Sequence, residues 1–442
     1  MKHFALSRRA LRTGVAIAAL SMTMPLAIAQ EAAESGWSYT VESLATGVNF
    51  GYQLALDPDA RQVYFTDARW RAEDRGPDGN PVVTATASGK VVAFDAASRT
   101  VSHIYSYLDL TRNDGSSNDR APLDWSSVTD PATTSFASNR TSFSPNGIAV
   151  DGTTTNDAGE VDPTIITTSA RGRDLSLNYG GHVVIFNASQ DAPTDDDRLW
   201  QFEDGTPMFD GIRRIAVDTK THKAYVTNFA ESRAEGGTRP GFIGVVDLVS
   251  RELEARVRVP EMFGAIGVTV DEENNLIYVG SMVGGKLYVI DGSKIDTSNA
   301  QDLELNAGAI TELEAAVGEN ARPTYDPASK RIYVSAYADP EGTITVVDGD
   351  PASDAYGTVI DSVTTGPTNF VAVDADRGLL YSANLGAQEV VVYSTEDLSE
   401  LLRLPTSGNA LNLAIDPETH EVWVANFRDA SFTDVFTVHA PE

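Results

Sequence analysis

Seven copies of one short unit run along most of this chain, and this repeat restricts the fold more than any other feature. Each unit begins with an apolar strand that ends in Asp, turns tightly into a strand rich in β-branched and aromatic residues, and reaches another apolar strand after a Gly-containing loop. A unit that cannot bury its own apolar faces must stack against its neighbours, so one large repeat domain is expected. The recurring aspartates are Asp57, Asp151, Asp218, Asp271, Asp326, Asp374 and Asp416.

The spacing of these aspartates predicts the architecture. Successive aspartates lie 94, 67, 53, 55, 48 and 42 residues apart, and the later spacings are those of a four-stranded propeller blade. The first two spacings contain insertions. Runs such as Val390-Val391-Val392 are apolar throughout, as in strands that are buried on both faces. The predicted fold class is therefore all-β, a seven-bladed β-propeller of four-stranded antiparallel blades.

The two ends of the repeat predict how the ring closes. The seventh unit stops after its third strand, Val435–Val438, whereas a lone strand, Trp37–Leu44, precedes the first unit. We expect this N-terminal strand to complete the last blade, because that pairing removes an open sheet edge. The repeated aspartates are assigned to turns rather than to catalysis, since Asp57-Pro58 and Asp416-Pro417 fit the first two positions of a type I turn.

The N-terminal residues have the three parts of a secretory signal. A basic start is followed by an apolar stretch from Val15 to Ile28 and by small residues at Ala27 and Ala29. Ser7–Arg12 resembles the twin-arginine export motif, and the alternative is an ordinary signal with chance arginines. No later segment has enough apolar residues to span a membrane. We therefore predict a bacterial secreted or periplasmic protein. Its predicted segments are a signal peptide (1–29), a linker (30–36) and one propeller (37–442) with an insertion at 112–144.

Composition excludes several classes of chemistry. The chain has no Cys, so disulfides, thiolate chemistry and thiolate metal sites are excluded. With 33 basic and 63 acidic residues it has a formal charge of −30, which repels nucleic acid and anionic lipid. We interpret this charge as that of a highly solvated exoprotein, expected to be a monomer. The alternative is a cation-collecting or salt-adapted surface.

Tyr225-Val226-Thr227-Asn228 spells the signature of the YVTN-repeat β-propellers, which this chain resembles. Weaker copies begin at Tyr333, Tyr381 and Trp423, and the resemblance covers nearly all of residues 37–438. It implies an exported bacterial propeller. Relatives of the same architecture include lactonases and redox enzymes, so the resemblance does not choose a function. The second unit departs most from the pattern, because its strand lacks the Tyr and its first hairpin, 152–163, is long.

Arginines are concentrated where a propeller would have one mouth of its central channel. They follow the second strands of four adjacent blades, and two more stand four residues before a turn Asp, an innermost position. A planar guanidinium binds carboxylate or phosphate through two hydrogen bonds, so we predict an anionic ligand. The alternative is that each arginine pairs with a neighbouring Asp or Glu. The predicted ligand-binding residues are Gln53, Arg69, Trp70, Arg71, Arg171, Arg173, Arg214, Arg322, Asn412 and Arg428.

Other motifs for chemistry are weak. No metalloprotease, serine-hydrolase or phosphate-loop pattern occurs, and the histidines are isolated. Two acidic loops, 113–119 and 195–197, carry the oxygen atoms that calcium prefers, but their spacing does not match a calcium loop, and no cofactor is predicted. The leading interpretation is a non-catalytic protein that binds an unknown protein or a small anionic ligand. The alternative is a metal-assisted hydrolase such as a lactonase, which requires a channel cluster of Glu, Asp, Asn or His. A redox role is disfavoured by the missing Cys and haem-attachment motifs.

Overall fold

A computed structural model of the chain describes residues 36–45, 51–67, 74–75, 81–82, 89–107, 145–169, 181–206, 208–209, 211–229, 241–260, 265–427 and 432–441. The proposed signal peptide, almost all of the linker and the insertion at 112–144 lie outside these residues. Within them, no helix is long and apolar enough to cross a membrane.

The described residues form strands that are mostly five to eight residues long. Short 3-10 turns occupy Asp195–Asp197, Gly292–Lys294 and Ala375–Arg377. In chain order the strands are β1 (Ser38–Ala45), β2 (Gly51–Asp57), β3 (Gln62–Asp67), β4 (Asp74–Arg75), β5 (Pro81–Val82), β6 (Lys90–Asp95), β7 (Thr100–Ser106), β8 (Pro145–Asp151), β9 (Thr164–Ser169), β10 (His182–Asn187), β11 (Arg198–Leu199), β12 (Gly211–Asp218), β13 (Lys223–Phe229), β14 (Phe242–Asp247), β15 (Glu252–Arg258), β16 (Gly267–Asp271), β17 (Leu276–Gly280), β18 (Lys286–Asp291), β19 (Ile310–Ala316), β20 (Ala321–Asp326), β21 (Arg331–Ala336), β22 (Gly342–Asp348), β23 (Val359–Thr365), β24 (Thr368–Asp374), β25 (Leu379–Asn384), β26 (Glu389–Ser394), β27 (Glu400–Pro405), β28 (Asn409–Ile415), β29 (Val422–Phe427) and β30 (Phe432–His439).

These strands build seven four-stranded antiparallel sheets in the described part of the chain, which confirms the predicted seven-bladed propeller. Blade 1 is β2-β3-β6-β7, and blades 2 to 6 take β8 to β27 in consecutive groups of four. Blade 7 is β28-β29-β30-β1. The first strand of each blade contacts the first strand of the next, and β28 contacts β2, so the ring is closed. These first strands surround the central channel.

The N-terminal strand closes the ring as predicted, one residue further along than the sequence suggested. Strand β1 pairs antiparallel with β30 over its whole length, from Ser38 opposite His439 to Ala45 opposite Phe432. Arg99 of blade 1 ties this junction to its neighbour, because its guanidinium contacts the carboxylates of Glu42 and Glu421. The N-terminal strand is therefore both a member of blade 7 and a contact of blade 1.

The core lies between the blades. One cluster of buried apolar side chains lies at each of the seven blade interfaces in the described residues. The second strand supplies a large ring to most clusters. The residue is Tyr in five blades, Ile166 in blade 2 and Trp423 in blade 7, and the side chains are almost fully buried. The β-branched and aromatic pattern that identified the repeat thus fills the space between sheets.

The repeated aspartates form the first-hairpin turns at the opposite end of the channel from the predicted arginine mouth. All seven are buried, and in six blades a carboxylate oxygen accepts backbone N–H bonds from the turn, as the turn assignment predicts. The residue four positions later adopts a left-handed φ of 51–58° in five blades. Three of these residues reach the turn Asp of the preceding blade: Arg61 to Asp416 (3.5 Å), His222 to Asp151 (2.8 Å) and His420 to Asp374 (3.0 Å).

Asp57→Asn is expected to stabilise the protein at pH 7. Burial, then the charges of Asp59 and Asp151, raise the pKa of Asp57, although the Ala60 amide acts in the opposite direction. A group whose pKa is higher in the folded than in the unfolded protein stabilises the fold fully at a pH below its unfolded-state pKa. This stabilisation is lost as the pH rises through the folded-state pKa. The ionised carboxylate is therefore unfavourable at pH 7, and its Oδ2 has no hydrogen-bond partner among the described residues. Asn keeps the oxygen that accepts from Ala60, so the urea midpoint should rise.

The advantage of Asp57→Asn should shrink as pH is lowered from 7 towards 4, because the wild-type carboxyl then becomes protonated. Asp57→Ala loses the turn acceptor and should cost about 1 kcal/mol. Asp95→Asn is the matched control in the same blade, since the Ser98 amide lowers the pKa of Asp95 and its charge should favour folding above that pKa. An Asp57→Asn protein as unstable as Asp57→Ala at pH 7 would contradict the expected sign.

Candidate functional site

Backbone bulges shape the wall of the channel at the level of the predicted innermost residues. In blades 1, 2 and 3 the pairing of the first strand with the second shifts by one or more residues at this level. A bulge releases a backbone N–H from the ladder and redirects the neighbouring side chain. In each blade a buried Thr hydroxyl of the second strand accepts the released N–H. The bonds run from Gln53 to Thr66 (2.9 Å), from Gly147 to Thr168 (2.9 Å) and from Arg214 to Thr227 (2.8 Å).

Arg214 extends from blade 3 across the channel. With the Gln53 amide oriented so that its oxygen faces the guanidinium, that oxygen accepts from Arg214 Nε at 3.0 Å and from Nη1 at 3.3 Å. The Arg214 Cζ atom lies 4.9 Å from the centroid of the Phe370 ring, a cation–π contact. Gln53 belongs to blade 1 and Phe370 to blade 6, and neither blade adjoins blade 3. The guanidinium of Arg214 therefore occupies the middle of the ring and is fixed from two sides.

Arg322 holds the equivalent position in blade 5 and lies within electrostatic reach of Arg214. The pKa of Arg214 is lowered to about 9, first by burial and then by the positive charge of Arg322, while Tyr52 acts in the opposite direction. Burial is also the main reason why the pKa of Arg322 is lowered to about 10. Both groups stay charged at neutral pH. The lowered pKa values indicate that the surroundings of both guanidinium groups disfavour their positive charge.

No carboxylate of the described residues lies within ion-pair distance of Arg214 or Arg322. Arg322 Nη1 instead donates to the backbone oxygen of Asn320 at 3.0 Å. Arginines away from the channel behave differently. Arg251 pairs with Asp197 (2.5 Å), and Arg403 pairs with both Glu389 and Glu400 (2.7 Å each). The alternative considered for the predicted channel arginines was pairing with Asp or Glu. Within the described residues, Arg214 and Arg322 are not paired in this way, whereas the outer arginines Arg251 and Arg403 are.

Two glycines allow the strands that carry these arginines to approach their neighbours closely. A Cβ on Gly267 of blade 4 would lie 2.6 Å from Arg322 Cα, and one on Gly147 of blade 2 would lie 2.6 Å from the backbone oxygen of Arg213. Both distances are shorter than a side-chain carbon tolerates. Glycine at these two innermost positions thus fixes how closely the first strands of blades 3 and 5 pack against the preceding blades.

The structure brings together some of the predicted ligand-binding residues. Gln53 and Arg214 are in contact, and Arg322 is close enough to affect the pKa of Arg214. Asn412 is buried, and its Oδ1 accepts the Leu54 N–H at 3.1 Å, which joins blade 7 to blade 1. The other six predicted residues lie outside the described residues and stay predictions: Arg69, Trp70, Arg71, Arg171, Arg173 and Arg428.

Several channel residues were missed by the sequence interpretation. Phe370 stands four residues before Asp374 but was not among the predicted binding residues, and Tyr52, Arg213 and Tyr337 were not considered. Tyr52 and Arg213 stand five residues before their turn Asp, and both influence the pKa of Arg322. Tyr337 directly follows the second strand of blade 5, the position at which arginines were sought in other blades.

The described residues contain no group of three or more His, Asp or Glu side chains that could hold a metal ion. The acidic loop at Asp195–Asp197 is a 3-10 turn. Asp197 Oδ2 accepts from the Thr194 amide at 2.7 Å, and its Oδ1 pairs with Arg251. This loop therefore already has hydrogen-bond and ionic partners within the protein. The other candidate calcium loop, 113–119, lies outside the described residues.

No protein-family model and no curated protein matches this chain, so the YVTN-repeat resemblance stays a prediction. Similar folds are found among solved structures. Hydrazine synthase of Kuenenia stuttgartiensis aligns with a TM-score of 0.53 at 12% identity, over 90% of this chain and 98% of that one. The β-propeller domain of Cps50 (Swd1) from Myceliophteria thermophila aligns with a TM-score of 0.52 at 10% identity, over the same shares of the two chains. At these identities only the fold is shared.

Proposed function

We propose that this protein is an exported, non-catalytic binding protein that takes an anionic ligand in its central channel, on Arg214 and Arg322. The ligand is a small anion or an acidic group of a partner protein. The observation that carries the proposal is the pair of channel arginines, which repel each other and have no carboxylate partner in the described residues. An anion between them would relieve both the repulsion and the cost of burial.

The charge distribution along the channel supports entry of an anion from the arginine end. Arg214 lies four residues before Asp218 on the same strand, which corresponds to about 13 Å. The arginines are thus near one end of the first strands, and the buried turn aspartates are at the other end. In a chain with 63 acidic residues, the two charged side chains described at the level of Arg214 in the channel, Arg214 and Arg322, are both positive. Export is proposed on the signal-like residues 1–29.

Arg322→Gln is expected to weaken anion binding by about 10- to 100-fold, because a hydrogen bond to a charged group contributes about 1.5–3 kcal/mol. Binding of acetate, benzoate, citrate and inorganic phosphate would be measured by isothermal titration calorimetry at fixed ionic strength. Gln retains a hydrogen-bond donor and most of the side-chain volume, so the change chiefly removes the charge.

Arg403→Gln is the matched control. It removes the same charge from an outer strand of blade 6, where the side chain is 55% exposed and paired with glutamates. Its effect on anion affinity should be small, because an exposed charge is screened by solvent. If no anion in the panel binds the wild-type protein, or if both variants bind equally well, the arginine pair is not a binding site.

The alternative of a metal-assisted hydrolase requires a channel cluster of metal-binding side chains. At the level of Arg214 the described side chains are Gln53, Arg322, Phe370 and Asn412, which include no carboxylate and no His. No observation on the described residues therefore favours this alternative over anion binding.

A further inference from the structure

Four aromatic side chains lie at the same end of the channel as the arginine pair, and they come from four different blades. Tyr52 comes from blade 1, Tyr337 from blade 5, Phe370 from blade 6 and Phe427 from blade 7. All four are partly buried. In an antiparallel blade the start of the first strand and the end of the second lie at the same end of the sheet. Tyr52 and Phe370 are near the start of first strands, whereas Phe427 and Tyr337 are at the ends of second strands. The four rings therefore lie at the arginine end of the channel.

Contacts between these groups show that they form one lining. The rings of Tyr52 and Phe427 meet edge to face, with centroids 5.5 Å apart and planes at 84°. Phe370 lies against the Arg214 guanidinium. Tyr52 and Tyr337 both act on the charge of Arg322. Phe370 therefore contacts the Arg214 guanidinium, Tyr52 and Tyr337 lie within electrostatic reach of Arg322, and Phe427 contacts Tyr52.

We propose that the ligand of this site is an aromatic carboxylate, with its carboxylate on the arginines and its ring between the aromatic side chains. The inference rests on the proposed anion-binding function and adds the chemical class of the ligand. A carboxylate matches the planar guanidinium fork. An aromatic ring matches the walls, because offset and edge-to-face ring pairs are favourable beyond the area that they bury. A small hydrophilic anion would use the charges and leave the aromatic walls unused.

The experiment compares three carboxylates by isothermal titration calorimetry. Benzoate is the flat aromatic probe, cyclohexanecarboxylate has a similar apolar area without a flat ring, and acetate has the carboxylate alone. Benzoate is expected to bind at least about tenfold more tightly than acetate and more tightly than cyclohexanecarboxylate. Tyr52→Leu should weaken benzoate binding more than acetate binding and so reduce the preference for benzoate, whereas Tyr52→Phe should retain that preference. Near-UV circular dichroism would confirm that both variants fold.

The outcomes separate this inference from the proposed function. If acetate, benzoate and cyclohexanecarboxylate bind with equal affinity, and Arg322→Gln weakens all three, the anion site stands and the aromatic ligand class is wrong. A preference for benzoate that survives Tyr52→Leu in the folded protein also overturns the assignment of the ring to this lining. If none of the three binds, both proposals fall.

Discussion

A chain that begins at residue 46 is expected to show no cooperative unfolding transition. It lacks β1, which supplies all eight pairs to the outer edge of β30 and buries Tyr39 and Leu44. Its loss also removes Glu42, one of the carboxylates that hold Arg99 of blade 1. The net stability of a domain is about 5–15 kcal/mol, and an unpaired edge at the point of closure leaves the ring open. Thermal unfolding followed by circular dichroism would measure the loss.

The matched control is a chain that begins at residue 36. It removes the proposed signal peptide and all but the last residue of the linker, and it keeps every residue of β1. Its unfolding temperature should equal that of the longer chain. If the chain that begins at residue 46 unfolds cooperatively at the same temperature, β1 is not required for closure.

Trp423→Ala is expected to lower the free energy of unfolding by about 3–5 kcal/mol. Trp423 is fully buried at the junction of blades 7 and 1, where its ring lies 5.7 Å from the Phe94 ring and 6.5 Å from the Phe65 ring. The Arg99 guanidinium lies 5.1 Å from its ring centroid. Alanine would therefore leave a cavity and remove the cation–π contact. Urea unfolding with fluorescence and circular dichroism detection would measure the change.

Trp423→Tyr distinguishes loss of volume from loss of Trp itself. Tyr occupies the same position in five other blades, so the backbone geometry accepts it, and we expect a cost of about 1.5 kcal/mol or less. The indole Nε1 has no hydrogen-bond partner in the described part of the chain, which matches the Tyr333 and Tyr381 hydroxyls, so a donor is not needed here. Equal destabilisation by Ala and Tyr would show that the junction depends on the indole rather than on filled space.

The fold could be predicted from the sequence because each of its parts leaves a local pattern. The turn aspartates mark the seven blades. The strand predicted at 37–44 belongs to no repeat unit, and it therefore indicated that an N-terminal strand closes the ring, as β1 does. Long-range contacts at the hairpin end left no such pattern. His222 and His420 lie at this end, and their hydrogen bonds to Asp151 and Asp374 depend on which turn lies beside them in the ring.

The candidate site was harder to predict than the fold. Position along the first strand predicted that Arg214 and Arg322 lie at the channel. It could not show that a bulge closed by Thr227 directs Arg214 across the ring, or that Gln53 and Phe370 receive it. Those contacts join blades that are not adjacent, and only the closed ring brings them together. The same limit explains why Tyr52 and Tyr337 were missed, since neither belongs to a charged pattern.

The pairing of β1 with β30 also determines when folding can finish. Ser43 and Asp434, which share a hydrogen bond across these strands, are 391 positions apart in sequence. During synthesis the first six blades can form from neighbouring residues, whereas β1 has no partner until the C-terminal strand has been made. Contacts of such large sequence separation form slowly. We therefore expect the pairing of β1 with β30 to be the last step in folding of the ring and to set the time for which the nascent chain exposes an unpaired strand.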